Sequence, residues 1–233
     1  MPTTKKPQTL RGKVALWASV LVVFVVAILL ILIVVKPSGQ PEPSGPVAVE
    51  TPKNEGGCNV PAGDISSKPA MPKDLRWNAE KGWTWPVSDT YGPTKTKDGF
   101  PACFARSPLG AALTAVSMNA AGNLINARKA GEFYGIDSPG KEVLLAKTPD
   151  KAAMTAPPSF SGFIVDSFTG NEASITLVVA TAASNSGYAG LPLTFQWVDG
   201  DWKLKILDDG STFVGQPPVP VKGGFVEWSA SNG

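Results

Sequence analysis

The 233-residue chain contains no histidine. That absence excludes Ser-His-Asp and Cys-His catalysis, histidine-based zinc sites and histidine pH switches together. Cysteine is nearly absent too, with two residues, Cys58 and Cys103. Net charge is scarce beyond the first quarter: from Cys58 onward 15 Lys and Arg face 16 Asp and Glu. A domain so close to neutral carries no electrostatic footprint for nucleic acid, so none is expected as a partner. No G-x-S-x-G elbow, phosphate-binding loop, zinc motif or calcium loop occurs, and no cofactor is expected.

What the chain does have is one long apolar run. Residues 14–35 hold no charge, no Gly and no Pro, and Lys13 and Lys36 bracket them. As a helix they reach about 33 Å, enough to cross a hydrocarbon core of roughly 30 Å. A cleaved signal peptide is the alternative. Its apolar region is shorter and ends at a small-residue site, whereas this run ends in Lys36-Pro37-Ser38-Gly39. The expectation is an uncleaved, single-pass anchor. Lys5, Lys6, Arg11 and Lys13 precede it, so residues 1–13 form a basic cytoplasmic tail and the rest of the chain lies outside the cell membrane. Ala15 and Ser19 form a small-xxx-small pair, one route to a homo-oligomer through the bilayer.

Residues 36–57 are rich in Pro, Gly, Ser and Glu and have little to bury, so they read as a semi-extended linker reaching at most about 65 Å. Residues 58–215 are expected to be an exported α+β domain, and residues 216–233 a C-terminal tail. Both cysteines fall in the exported domain, where disulfides persist, and a Cys58–Cys103 bridge is expected. Two unrelated buried thiols are the alternative. Lipidation of Cys58 fails because Glu55-Gly56-Gly57 is not a lipobox.

Within the domain, residues 59–100 show no persistent period and many turn dipeptides, and read as irregular. Trp77, Trp83 and Trp85 lie there. They either pin the segment to the core or form a stacking platform for a ligand. A helix follows, with Ser107 as N-cap, Pro108 at its first position, Leu109, Leu113, Val116, Ala120 and Leu124 at helical spacing, and Gly131 as its stop. Ser138-Pro139 and Thr148-Pro149 mark two more starts, for short helices over 142–146 and 151–154. After Pro157-Pro158 four strands are expected, over 160–168, 173–182, 191–198 and 202–207, with Asp199-Gly200 as a hairpin turn and 184–190 as a flexible polar gap. Helices followed by a meander is an α+β order. Asp199/Asp201 and Asp208/Asp209 are paired carboxylates, the raw material of a glycosidase, but in Gly-containing turns they read as backbone caps. Arg106 and Arg128 read as structural.

The run Trp83-Thr84-Trp85-Pro86-Val87-Ser88, then Gly92-Pro93, Gly99-Phe100 and Phe104-Ala105-Arg106-Ser107-Pro108-Leu109-Gly110-Ala111-Ala112, together with the order tail, anchor, tether, helix, meander, resembles a family of actinobacterial membrane proteins associated with integrative conjugative elements. The resemblance covers residues 58–210. It implies an exported domain similar to the nuclear transport factor 2 cone, with helices packed on a curved antiparallel sheet, a fold shared by scaffold subunits of type IV secretion channels. It brings no catalytic residues. It implies a non-catalytic scaffold subunit whose partners are the bilayer and other envelope or transfer-channel proteins. The alternative is an exported module that binds a ligand or peptide, which requires a roomy apolar pocket with a few convergent polar groups. A cell-wall hydrolase is a third reading and requires two carboxylates facing one cleft.

Overall fold

The structure, a computed structural model, describes residues 58–215 and 218–228. The anchor at 14–35, the basic tail and the linker lie outside the described residues. Among the described residues no helix is long and apolar enough to cross a membrane. The fold of the described residues is α+β, mostly β: three helices and one large antiparallel sheet, preceded by two small hairpins.

The supposedly irregular segment contains the hairpins. β1 (Arg76–Glu80) pairs with β2 (Trp83–Val87), and β3 (Lys95–Lys97) with β4 (Phe100–Ala102). Lys81 and Gly82, with φ of 47° and 85°, make the tight β1–β2 turn, the left-handed pair such turns require. Periodicity failed here because Val87, Pro86, Trp85 and Trp83 of β2 are all buried while every residue of β1 is exposed. Neither strand alternates.

The helix α1 (Pro108–Leu124) starts where the Ser107-Pro108 pair predicts, with the Ser107 hydroxyl accepting from Gly110 N at 3.1 Å. It stops earlier than Gly131. The chain breaks at Ile125 and restarts as α2 (Ala127–Tyr134), because the Asn126 side chain accepts from Lys129 N at 2.9 Å and caps a new helix. α3 (Pro139–Lys147) follows from the Ser138 cap. The expected helix over 151–154 does not form. That stretch runs as coil, with Ala153 N bonded to Gly122 O. α1 is buried along 13 of its 17 residues, as suits a helix with small or apolar residues all round. Its slimness is needed: a Cβ on Gly110 would lie 2.0 Å from Ala105 O.

The four expected strands are present as β5 (Ser159–Phe168), β6 (Glu172–Ala180), β7 (Tyr188–Val198) and β8 (Asp201–Leu204). They form an antiparallel meander, with Asp199 and Gly200 at φ of 50° and 80° in the last turn. Strand parity puts Phe163, Ile175, Leu177 and Phe195 on the inner face, each fully buried under the helices. Each contributes about 1.5–3 kcal/mol by leaving water.

Residues 216–233 do not behave as an appendage over their described part. β9 (Val219–Pro220) pairs with β7, and β10 (Val226–Glu227) pairs with β5. Between them the chain crosses the outer face as a strap. Gly190 and Gly162 leave it room: a Cβ at Gly190 would meet Val219 and Val221 within 3.0 Å, and one at Gly162 would lie 2.2 Å from Val226 O. Trp228 then joins the main core, its ring 4.7 Å from Phe163. The folded domain therefore extends past 215 to Trp228. The glycines that permit the close backbone crossing lie on β5 and β7 rather than in the segment itself, so its own sequence does not mark it as part of the sheet.

Candidate binding groove

Cys58 and Cys103 are joined in a disulfide with Cα atoms 5.1 Å apart, and both are fully buried. Cys103 is left-handed, at φ 63°, a conformation that costs a non-glycine residue roughly 1–2 kcal/mol. Asp201 holds it there. Its carboxylate accepts from Cys103 N at 2.7 Å, Phe104 N at 3.1 Å and Trp202 N at 3.0 Å. Next to it the Trp202 indole donates to Ala105 O at 2.8 Å. Burial pushes the Asp201 carboxyl above the usual carboxylate range, against the pull of these three N–H donors. Burial, and then the charge of Asp201, push the Tyr134 phenol up as well. Asp201 is thus a core carboxylate spanning 98 residues of sequence to Cys103, not a turn cap. Asp209 does cap its own turn, accepting from Ser211 N at 2.8 Å. Cys58, Cys103 and Asp201 are also close enough together to ligate a metal, but both sulfurs are already bonded to each other.

The tryptophans divide. Trp83 and Trp85 are in the main core, as pinning residues should be. Trp77, on β1, is 38% exposed and lies outside the buried core. Arg106 ties the head of α1 to the β5–β6 turn, donating to Gly170 O at 2.9 Å and to Asn171 Oδ1. Arg128 lies in the first turn of α2 rather than at a helix end. It donates to Leu145 O at 2.8 Å, so the dipole it complements is that of the α3 C-terminus.

None of these residues lines the widest of the grooves described below. That lies at the opposite end of β6 and β7, where the inner face runs out from under the helices. Ile175 and Leu177 are fully buried, but Val179 and Leu191 are only partly so. Here a groove of about 560 Å³ opens. Val179, Ala189 and Leu191 form its floor, Pro218 and Pro220 one wall, and Ser184, Asn185 and Lys222 the rim. The rim turn is held by itself: Thr181 N bonds Gly187 O at 2.9 Å, and the Ser184 and Ser186 hydroxyls are 2.9 Å apart. Apolar floor, sparse polar rim and size all fit a binding pocket. No carboxylate lines it. A smaller outer cleft of about 280 Å³ does hold two, Asp166 and Glu172. Each is engaged, Asp166 by the Thr176 hydroxyl at 2.7 Å and Glu172 by Lys205 at 3.0 Å. The sequence signal for the groove was weak: its floor alternates like any strand, and one wall comes from the strap.

Fold and groove define a disulfide-pinned α+β domain with an apolar concavity. The chain belongs to the family of the domain of unknown function DUF8175, whose model matches residues 38–227. The match runs through the strap and stops one residue before Trp228. No curated protein and no solved structure matches the chain.

Proposed function

We propose that this chain is a non-catalytic, membrane-anchored assembly subunit of an envelope-spanning transfer apparatus of the conjugation or type IV secretion kind. Its N-terminus is cytoplasmic and its domain, a nuclear transport factor 2-like cone, is extracytoplasmic. The observation that carries the reading is the groove. Its floor is apolar, its rim offers hydroxyls, an amide and one ammonium, and no acid–base pair lines it. Such a surface holds a partner rather than transforms it. The apolar run at 14–35 and the polar linker support the topology, and the resemblance of residues 58–210 supports the setting.

The test is capture from detergent-solubilised membranes. Transfer-channel proteins should co-purify with the native chain and be lost from Leu191→Asp, which places a charge on the groove floor. If Leu191→Asp captures the same proteins, the groove is not the contact. A groove of this size also suits a small apolar molecule, which favours the ligand-binding module as second reading. Native mass spectrometry showing a bound small molecule, with no protein partner, would select it. Protease added to wall-stripped cells should remove the domain, and full protection would reverse the topology.

A further inference from the structure

Among the described residues, β1 is the one element in which every residue is exposed. It pairs with β2 on one side, and among the described residues no strand pairs with its other edge. The hydrogen-bond phase of that free edge follows from the hairpin. The two-residue turn at Lys81-Gly82 makes Glu80↔Trp83 a hydrogen-bonded pair, and bonded pairs alternate along an antiparallel ladder. Arg76, Asn78 and Glu80 therefore bond toward β2. Pro86, which has no N–H to give, falls opposite Trp77 at a non-bonded position, in agreement. Trp77 and Ala79 are left with N–H and C=O groups aimed outward.

The sequence of this edge, Arg76-Trp77-Asn78-Ala79-Glu80, is complementary to itself when reversed. We propose that two copies of the chain pair through β1, antiparallel and centred on Asn78, to make a four-stranded sheet. In that register each Trp77 exchanges both backbone bonds with Ala79 of the second copy, four bonds in all. Each Arg76 faces Glu80 of the second copy, giving two cross-strand ion pairs. Arg76 now pairs with Asp89 at 2.9 Å, and Glu80 with Lys81 at 3.1 Å, all at exposed positions. Exchanging such partners costs little. Trp77, otherwise the most exposed tryptophan among the described residues, comes to lie against the small side chain of Ala79. A four-bond contact is weak in solution. Two anchors in one bilayer raise its effective concentration.

The pairing goes beyond the assembly role; it rests on the membrane anchor of that reading but not on the transfer apparatus, because it is measured on this chain alone. The experiment uses the full-length chain in membranes carrying Asn78→Cys. Two facing residues in a non-bonded antiparallel pair have Cα atoms about 4.5 Å apart, within disulfide reach. Mild oxidation should give roughly tenfold more covalent dimer than Thr84→Cys on the same hairpin. Adding Ala79→Pro, which removes the outward N–H, should return the yield to the control level. Arg76→Glu should lower it, and Arg76→Glu with Glu80→Arg should restore it. Equal crosslinking at residues 78 and 84, or a charge swap that does not restore the yield, overturns the proposal.

Discussion

The two ends of the β6–β7 pair are built to opposite standards. At the end marked by Ala173 and Phe195, both fully buried, Trp202, Asp201 and the disulfide converge and several polar groups are multiply bonded. At the end marked by Val179 and Leu191, apolar surface is half open and the covering turn is held mainly by its own hydroxyls. Rigidity is concentrated where the chain enters α1. The less buried end is the one where the groove opens, and the proposed binding role fits it, since binding surfaces are drawn from the less stable parts of a fold.

Substituting the buried tryptophans should widen that contrast most. Trp83→Ala or Trp85→Ala should cost about 3–5 kcal/mol in denaturant unfolding, the range for a buried Trp. Leu191→Ala, at the open end, should cost only about 1 kcal/mol because it is half exposed. Comparable losses at both ends would abolish the distinction. Replacing Cys58 and Cys103 with Ser should cost about 2–4 kcal/mol, since the bridge closes a long loop. Free thiols in freshly isolated protein, read by non-reducing peptide mapping, would remove the disulfide from the closed end.

Asp201→Asn should cost about 1–3 kcal/mol, because an amide NH₂ then faces buried N–H donors. This variant also sharpens the pH behaviour. The folded carboxyl of Asp201 sits above its ordinary 3.8, so its contribution is fully present below that value and is lost as pH rises through the higher, folded one. The native-minus-variant stability difference should therefore shrink on going from about pH 4 upward. A difference that grows with pH contradicts burial as the dominant influence. The smallest stability effect is expected at the groove rim: Ser184→Ala should change unfolding by less than about 0.5 kcal/mol.

Caps and turns were the legible parts of this fold. Ser107-Pro108, Ser138-Pro139 and Asp199-Gly200 act within a few residues, and each makes the structure its type predicts. The α+β order followed from them. Long-range geometry was not legible. Asp201 looked like its neighbour Asp199 because nothing local marks a carboxylate that reaches Cys103. β1 and β2 escaped notice because one strand is wholly exposed and the other nearly wholly buried, which erases alternation. The groove was invisible for a similar reason, since its wall comes from a segment whose composition reads as a tail.

That strap also sets a schedule. The sheet has β10 on one edge and β9 beside β7, and both follow β8 in sequence, with Trp228 seated in the core beyond them. The β7 edge cannot be completed until synthesis has delivered residue 220, nor the β5 edge until it has delivered residue 227. Until then β5 and β7 present open backbone to any neighbouring chain, and the contacts that finish the fold join segments far apart in sequence, which makes completion slow. A chain that stops before Val219 would be a sheet with two unfinished borders, prone to joining its own kind at the wrong place.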